Sequence, residues 1–264
     1  MNEKVKQLSE KLNAGLIELM NSERYAEYLK MQSRFHHYSF NNALLILMQC
    51  PTATKVAGLG VWNKLNRRVK KGEHGIMIFA PSTKKFENED GEEITKLTGF
   101  RAAYVFDYEQ TEGEELDNLA VKLQKSVDNY TDLISAIKYM SECPITFTEL
   151  LGGANGRYTR GEEKIEIQEG MSEAQTIKTM LHELAHSILH KETDKNRETK
   201  ECEAESVAFI VSDYFGIDTS DYSFGYIAGW SDMETFKKSL ADIQKCADKI
   251  INEINKKLLT KSKD

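Results

Sequence analysis

His182-Glu183-Leu184-Ala185-His186 sets two imidazoles four residues apart, with a carboxylate directly after the first. A helix turns about 100° per residue, so positions four apart lie about 40° apart on one face. Two neutral imidazoles so placed can bind one metal ion, and zinc suits them at about 2.0–2.1 Å. Glu183 would sit beside that ion without ligating it, where a carboxylate serves as general base toward an attacking water. The chemistry this predicts is peptide hydrolysis. Met180, Leu181, Leu184, Ala185, Ile188 and Leu189 surround the pattern, so one side of the helix is expected to be buried.

A catalytic zinc site takes a third protein ligand and keeps one position open. Glu201, Glu203 and Glu205 fall together in the next helical stretch. Glu201 and Glu205 share a face, and Glu203 points elsewhere. The preferred assignment puts Glu201 on the metal and lets Glu205 orient a ligand by hydrogen bond; the reverse is the alternative. Glu203 is read as solvated. His190, four residues after His186, is read as a helix-end histidine at the negative pole of the helix dipole. Tyr158, Tyr222 and Tyr226 are candidate oxyanion donors, and nothing in the sequence chooses among them.

These side chains need a long helix from Ser172, a plausible N-cap, to about His190, and another over roughly 197–215. Ile145–Leu150 reads as a strand, and Tyr158–Ile167 as a hairpin turning at Arg160-Gly161. Helices are expected over 119–142 and 233–259. Upstream, residues 1–50 read as helical, with Ser39 or Asn41 capping a helix through Ala43–Gln49 that Pro51 ends. Val61–Leu65 reads as a short helix. Gly75–Pro81 and Phe100–Tyr108 read as strands around a hairpin tip at residues 86–93, turning at Asp90-Gly91. Gln110–Asn118, acidic and nearly free of apolar residues, is the candidate linker. The fold class is therefore α+β with two domains, over 1–113 and 119–264.

The first of these has its own electrostatic character. From Lys30 to Phe86 there are ten Lys or Arg and one acid, Glu73, inside a chain of net charge −7. Such segregation is the footprint of a nucleic-acid face. Aromatic residues interleave with the cations, as in grooves that hold single strands by base stacking. The candidates for DNA contact are Arg34, Tyr38, Asn41, Lys55, Trp62, Lys64, Arg67, Arg68, Lys70 and Lys71. Cys50, Cys143, Cys202 and Cys246 are scattered and read as reduced thiols. The N-terminus lacks the apolar core of a signal peptide, and no apolar run reaches bilayer length, so no membrane partner and a cytoplasmic location are expected.

Several spaced strings agree with a known family. Tyr38-Ser39-Phe40-Asn41-Asn42, Gln49, Val56-Ala57-Gly58, Trp62, Leu65, Val69 through Ile76, and Phe106-Asp107 with Gln110-Thr111-Glu112-Gly113 resemble the N-terminal domain of ArdC-type antirestriction proteins. The half carrying His182–His186 and Glu201–Ala208 is similar to the metallopeptidase half of those proteins and to ImmA/IrrE-type peptidases. The resemblance implies a protein of a conjugative plasmid or other mobile element. It implies an N-terminal domain that binds single-stranded DNA and a role in evading host restriction. It further implies a gluzincin-like metallopeptidase fold around an active-site HExxH helix, with the glutamate ligand and a supporting acid mapping onto Glu201 and Glu205. The alternatives are a DNA-protecting protein with a structural zinc domain, and a regulatory peptidase that cuts a repressor. The peptide substrate is left open.

Overall fold

A computed structural model describes residues 3–21, 24–87, 92–116, 130–149, 152–219 and 232–261. The chain forms two compact units. One comprises residues 1–22 and 38–116, the other 23–37 and 117–264. Among the described residues no helix is long and apolar enough to cross a membrane.

The first unit contains α1 (Glu3–Asn21), α3 (Phe40–Gln49), α4 (Leu59–Lys64) and five strands. Leu8, Leu12, Leu16 and Leu19 recur at helical spacing on α1 and are all buried. Ser39 caps α3, its hydroxyl accepting from the Asn42 backbone N–H at 3.4 Å. Strand β1 (Val56–Ala57) pairs with β4 (Glu93–Asp107), which pairs antiparallel with β3 (Ile76–Glu87), so the order is β1-β4-β3. The hairpin strands are longer than the sequence pattern marks, because their outer half is polar and exposed. The expected turn at Asp90-Gly91 lies outside the described residues.

Strand β3 is an edge, and α3 covers it chemically. The Asn42 amide donates to Phe79 O at 2.9 Å and accepts from Phe79 N at 3.0 Å. Gln49 does the same at Met77, at 2.9 and 3.1 Å. Each side-chain amide supplies one donor and one acceptor, as a neighbouring strand would. A second small sheet pairs β2 (Arg67–Val69) antiparallel with β5 (Thr111–Gly113).

The second unit begins with α2 (Tyr25–Arg34), which the expected boundary of 1–113 assigned to the first. Tyr25, Tyr28, Leu29 and Gln32 lie on one face and are buried, and the Tyr25 hydroxyl lies 2.9 Å from Ser206 Oγ. The spacing reveals an apolar face but not which core it meets. Strands β6 (Ile145–Thr148), β7 (Gly156–Thr159) and β8 (Lys164–Gln168) form a sheet of order β6-β8-β7, with β6 parallel and β7 antiparallel to β8. Helices α5 (Tyr130–Met140), α6 (Glu173–Leu189), α7 (Arg197–Tyr214) and α8 (Met233–Lys261) complete the unit. Of the helix expected over 119–142, residues 119–129 lie outside the described residues. The core gathers Ile165 and Ile167 from β8, Ile177, Met180, Leu181 and Leu184 from α6, Val207, Ile210 and Val211 from α7, and Phe236, Leu240 and Ile243 from α8. All four cysteines are free thiols.

Candidate metal centre

Ser172 starts α6 by accepting from the Gln175 N–H at 3.3 Å, and His190 ends it, as the sequence pattern predicts. Asn196 caps α7 through the Thr199 N–H at 2.8 Å. These two fixed starts set the rotation of both helices. They bring His182 and His186 on α6 together with Glu201 on α7.

The three ligand atoms form a triangle. His182 Nε2 and His186 Nε2 are 3.0 Å apart, and Glu201 Oε2 lies 3.4 Å from the first and 3.6 Å from the second. A tetrahedral ion with ligands at about 2.0–2.1 Å has ligand–ligand edges of about 3.3–3.4 Å. The donor set of two imidazoles and a carboxylate, with these edges, could hold a divalent metal ion such as zinc.

Each histidine is oriented from its other nitrogen. His182 Nδ1 lies 3.0 Å from Glu205 Oε2, so it donates there, and Nε2 is the nitrogen that would ligate once deprotonated. His186 Nδ1 is 2.8 Å from His190 Nδ1, and His190 Nε2 is 2.9 Å from Glu203 Oε2. Lys195 Nζ holds the other Glu203 oxygen at 2.7 Å and reaches Asp242 at 3.1 Å. Glu203 can only accept, so neutral His190 carries its proton on Nε2. Its Nδ1 then accepts from His186 Nδ1–H, which leaves His186 Nε2 free to ligate.

One sequence reading is corrected here. Glu203 is 0% exposed, so it is not a solvated helix residue, whereas His190 does end α6 but is 5% exposed and tied into the hydrogen-bonded chain. The signal was present: Glu203 precedes Val207 and Ile210 at four and seven residues, on the apolar stripe of α7. An acid in that stripe needs a buried partner.

The charges respond accordingly. Burial lowers the His182 pKa, but hydrogen bonds to Glu201 and Glu205 outweigh it and push the group up to about 9. The same histidines hold Glu201 well below the usual carboxylate range, against its partial burial. Glu203 is raised by burial, but His190 and Lys195 more than offset this and its pKa is lowered. Glu183 behaves oppositely: burial raises it, and the opposing charges of His182 and His186, with a hydrogen bond from the Tyr158 backbone, do not cancel the effect. A carboxylate so raised is closer to the proton affinity a general base needs.

Strand β7 passes close over Glu183. A Cβ at Gly156 would stand 2.5 Å from Thr179 Cγ2 and 2.8 Å from Glu183 Cγ, so only glycine fits without displacement. No local sequence pattern marks this close approach. The Tyr158 hydroxyl is buried without a hydrogen-bond partner, so it does not face the cleft as an oxyanion donor. Tyr222 and Tyr226 lie outside the described residues. A cleft of about 800 Å³ opens over His182, Glu183, His186 and Glu201.

The candidate DNA contacts are scattered differently from the sequence reading. Arg34 is exposed but lies on α2 in the second unit. Trp62 is buried, its indole N–H donating to Phe106 O at 2.9 Å. Arg67 is buried against the Tyr108 ring, and it donates to Thr111, Gly113 and the Glu114 carbonyl. Trp62 and Arg67 are thus held by the fold and are not available to a strand. Tyr38, Asn41 and Lys55 are half-buried, and Lys64 and Lys71 are exposed. Arg68 pairs with Glu112 at 2.7 Å, and the Lys70 ammonium donates to Glu109 O at 2.8 Å. The charge count of Lys30–Phe86 stops short of β5, whose one acid, Glu112, lies in register with Arg68 of β2.

Comparison with known proteins accords with this architecture. Residues 2–127 match the family model of the N-terminal domain of anti-restriction factor ArdC. Residues 146–235 match the IrrE N-terminal-like domain of the M78 peptidases. Fold and site thus define a two-domain α+β protein with a metallopeptidase-like second half. Together the two matches support an ArdC-type antirestriction protein as what the chain is similar to. The metal-free crystal structure of the antirestriction protein ArdC from plasmid R388 shares the fold at a TM-score of 0.54 and 18% identity, over 82% of this chain and 85% of that one. The Mn(II)-bound form of that protein gives 0.52 and 18%, over 81% and 84%. An uncharacterized Bacillus anthracis protein, pXO2-81, is 26% identical over 98% of this chain, which spans 52% of that relative's length.

Proposed function

We propose that the second unit is a zinc-dependent peptidase of gluzincin-like fold, joined to a first unit that binds single-stranded DNA in an antirestriction role for a mobile element. The observation that carries the peptidase reading is the triangle of His182, His186 and Glu201 with Glu183 beside it. Those three residues would hold the ion and Glu205 would orient His182. When bound, zinc supplies a Lewis acid for the scissile carbonyl and lowers the pKa of water toward neutrality.

The protein's own groups do the rest. Glu183 takes the proton of the attacking water and delivers it to the departing amine. The Tyr158 N–H fixes the Glu183 carboxylate, and burial keeps it basic enough to accept. A purely structural zinc would need neither an acid set beside its ligands nor an open cleft. For the DNA-binding half, residues 1–113 without the α2 segment are the proposed domain, with Lys64, Arg68, Lys70 and Lys71 as its exposed cations. Action on incoming DNA places the protein in the cytoplasm.

Elemental analysis and cleavage assays on wild type, His186→Ala, Glu201→Ala and Glu183→Gln test this reading. Zinc is expected in wild type and Glu183→Gln, lost in the other two, with cleavage only in wild type. A wild type that takes up no zinc after loading removes the peptidase reading.

A further inference from the structure

The cleft over the candidate metal centre has the opposite charge from the chain around it. The protein carries a net −7, yet Arg157, Arg160, Lys178, Arg197 and Lys200 all line this one cleft. The carboxylates lining it are Glu183, Glu201 and Glu205. All three have work to do at the centre, as base, ligand and support for His182. What remains to face an occupant is positive, and a divalent ion would add to it.

The cations stand on two walls. Arg157 and Arg160 come from β7 and the turn after it, and Arg197 and Lys200 from α7; Lys178, on α6, is buried in the wall and adds field rather than a contact. Arg157 is aimed by Glu166 on β8, which accepts from its Nε and Nη2 at 3.2 and 3.0 Å. Arg197 is 91% exposed and only 3.9 Å from the nearest Glu201 oxygen, a loose contact that water screens. Among the described residues no carboxylate pairs with Arg160 or Lys200. Cations around a concave, low-dielectric site focus a field that isolated surface charges do not.

We propose that the substrate of this site is an acidic peptide, with Asp or Glu side chains on both sides of the scissile bond. The proposal rests on the peptidase reading and specifies its substrate class. A nucleic-acid strand would satisfy the same charges, but single strands are held by base stacking as well. Apart from the histidines, Tyr158 is the one aromatic residue lining the cleft among the described residues. Its hydroxyl is buried away from solvent. The cleft offers cations without a stacking platform.

Zinc-loaded Glu183→Gln protein, full length, is titrated with three short fluorescent peptides that share an Ala-Leu frame and carry Glu, Gln or Lys. The Glu peptide is expected to bind about tenfold more tightly than the Gln peptide at about 50 mM salt, and the ratio to shrink at about 300 mM. Arg160→Gln with Lys200→Gln is expected to cut that ratio by at least about threefold. Equal affinity for Glu and Gln peptides, or tightest binding of the Lys peptide, overturns the proposal. An oligothymidylate that binds at the cleft where no peptide does overturns it in favour of nucleic acid. Equal cleavage of the Glu and Gln peptides by wild type sinks the acidic preference and leaves the peptidase reading standing. Failure of wild type to bind or cut any of them sinks both.

Discussion

Glu203→Gln removes one charge from the buried chain that ends on His186. Glu203 is fully buried, and its two oxygens accept from His190 at 2.9 Å and Lys195 at 2.7 Å. Glutamine has one oxygen, so its amide N–H must face one of those two donors. Breaking a buried ion pair from one side costs about 3–5 kcal/mol. Asp242 still holds Lys195 at 3.1 Å, so a cost of about 2–3 kcal/mol is expected. For a unit of this size that lowers the melting temperature by about 5–10 °C. The metal site should feel it separately. With its Nε2 partner lost, His190 can move its proton to Nδ1 and face the Nδ1–H of His186 as a second donor. His186 must then protonate at Nε2, the atom aimed at the metal. Zinc affinity is expected to fall about 10–100-fold, read by competition with a chromophoric chelator. Asp242→Asn is the control, lowering stability slightly and leaving affinity unchanged. A Glu203→Gln protein that melts earlier but binds zinc as wild type does would refute the tautomer argument. One that melts unchanged would refute the buried pair.

Three further outcomes are expected. His182 has a folded-state pKa raised to about 9, so in metal-free protein its stabilising contribution is full below about pH 6.5, declines above it and is gone once pH has risen through about 9. Zinc binding near neutral pH should therefore release about one proton, with apparent affinity rising about tenfold per pH unit toward pH 9, measured by calorimetry in two buffers. Gly156→Ala puts a methyl group where Glu183 and Thr179 stand; peptide cleavage should fall about 10–100-fold while zinc affinity stays within about twofold. Asn42→Ala leaves the Phe79 N–H and C=O without partners, and chemical denaturation should show a loss of about 1–3 kcal/mol.

The metal centre was more legible than the rest because it depends on short-range spacing. Four residues on a helix fix the relative direction of two side chains, whatever the helix packs on, so His182 with His186 and Glu201 with Glu205 were readable in the sequence. Glu203 was also on a readable stripe, but its charge argued for solvent, and only the tertiary partner Lys195 reverses that. Gly156 needed knowledge of a strand lying over α6, which no local pattern carries. The first unit misled in an instructive way. Its basic count is local to residues 30–86, while Glu112, the acid that answers Arg68, arrives on β5 through long-range pairing. Many of the residues that carry the family resemblance, among them Asn42, Gln49, Trp62, Asp107 and Gln110, make hydrogen bonds that build the fold. A family string in this unit therefore marks architecture as much as contact with DNA.

The early position of α2 has a consequence for how the protein is made. Tyr25 meets Ser206 across 181 residues of sequence. At a synthesis rate of about 5–20 residues per second, α2 emerges roughly 10–35 s before the helix that covers its apolar face. Throughout that interval the first unit can fold around it, closing β3 onto α3, while an amphipathic helix threaded through its sequence still waits for the second. The nascent chain thus carries an exposed hydrophobic segment until the helix that covers it emerges. That segment is a natural handle for chaperones, and it ties completion of the metallopeptidase-like unit to a helix translated ahead of most of the first unit.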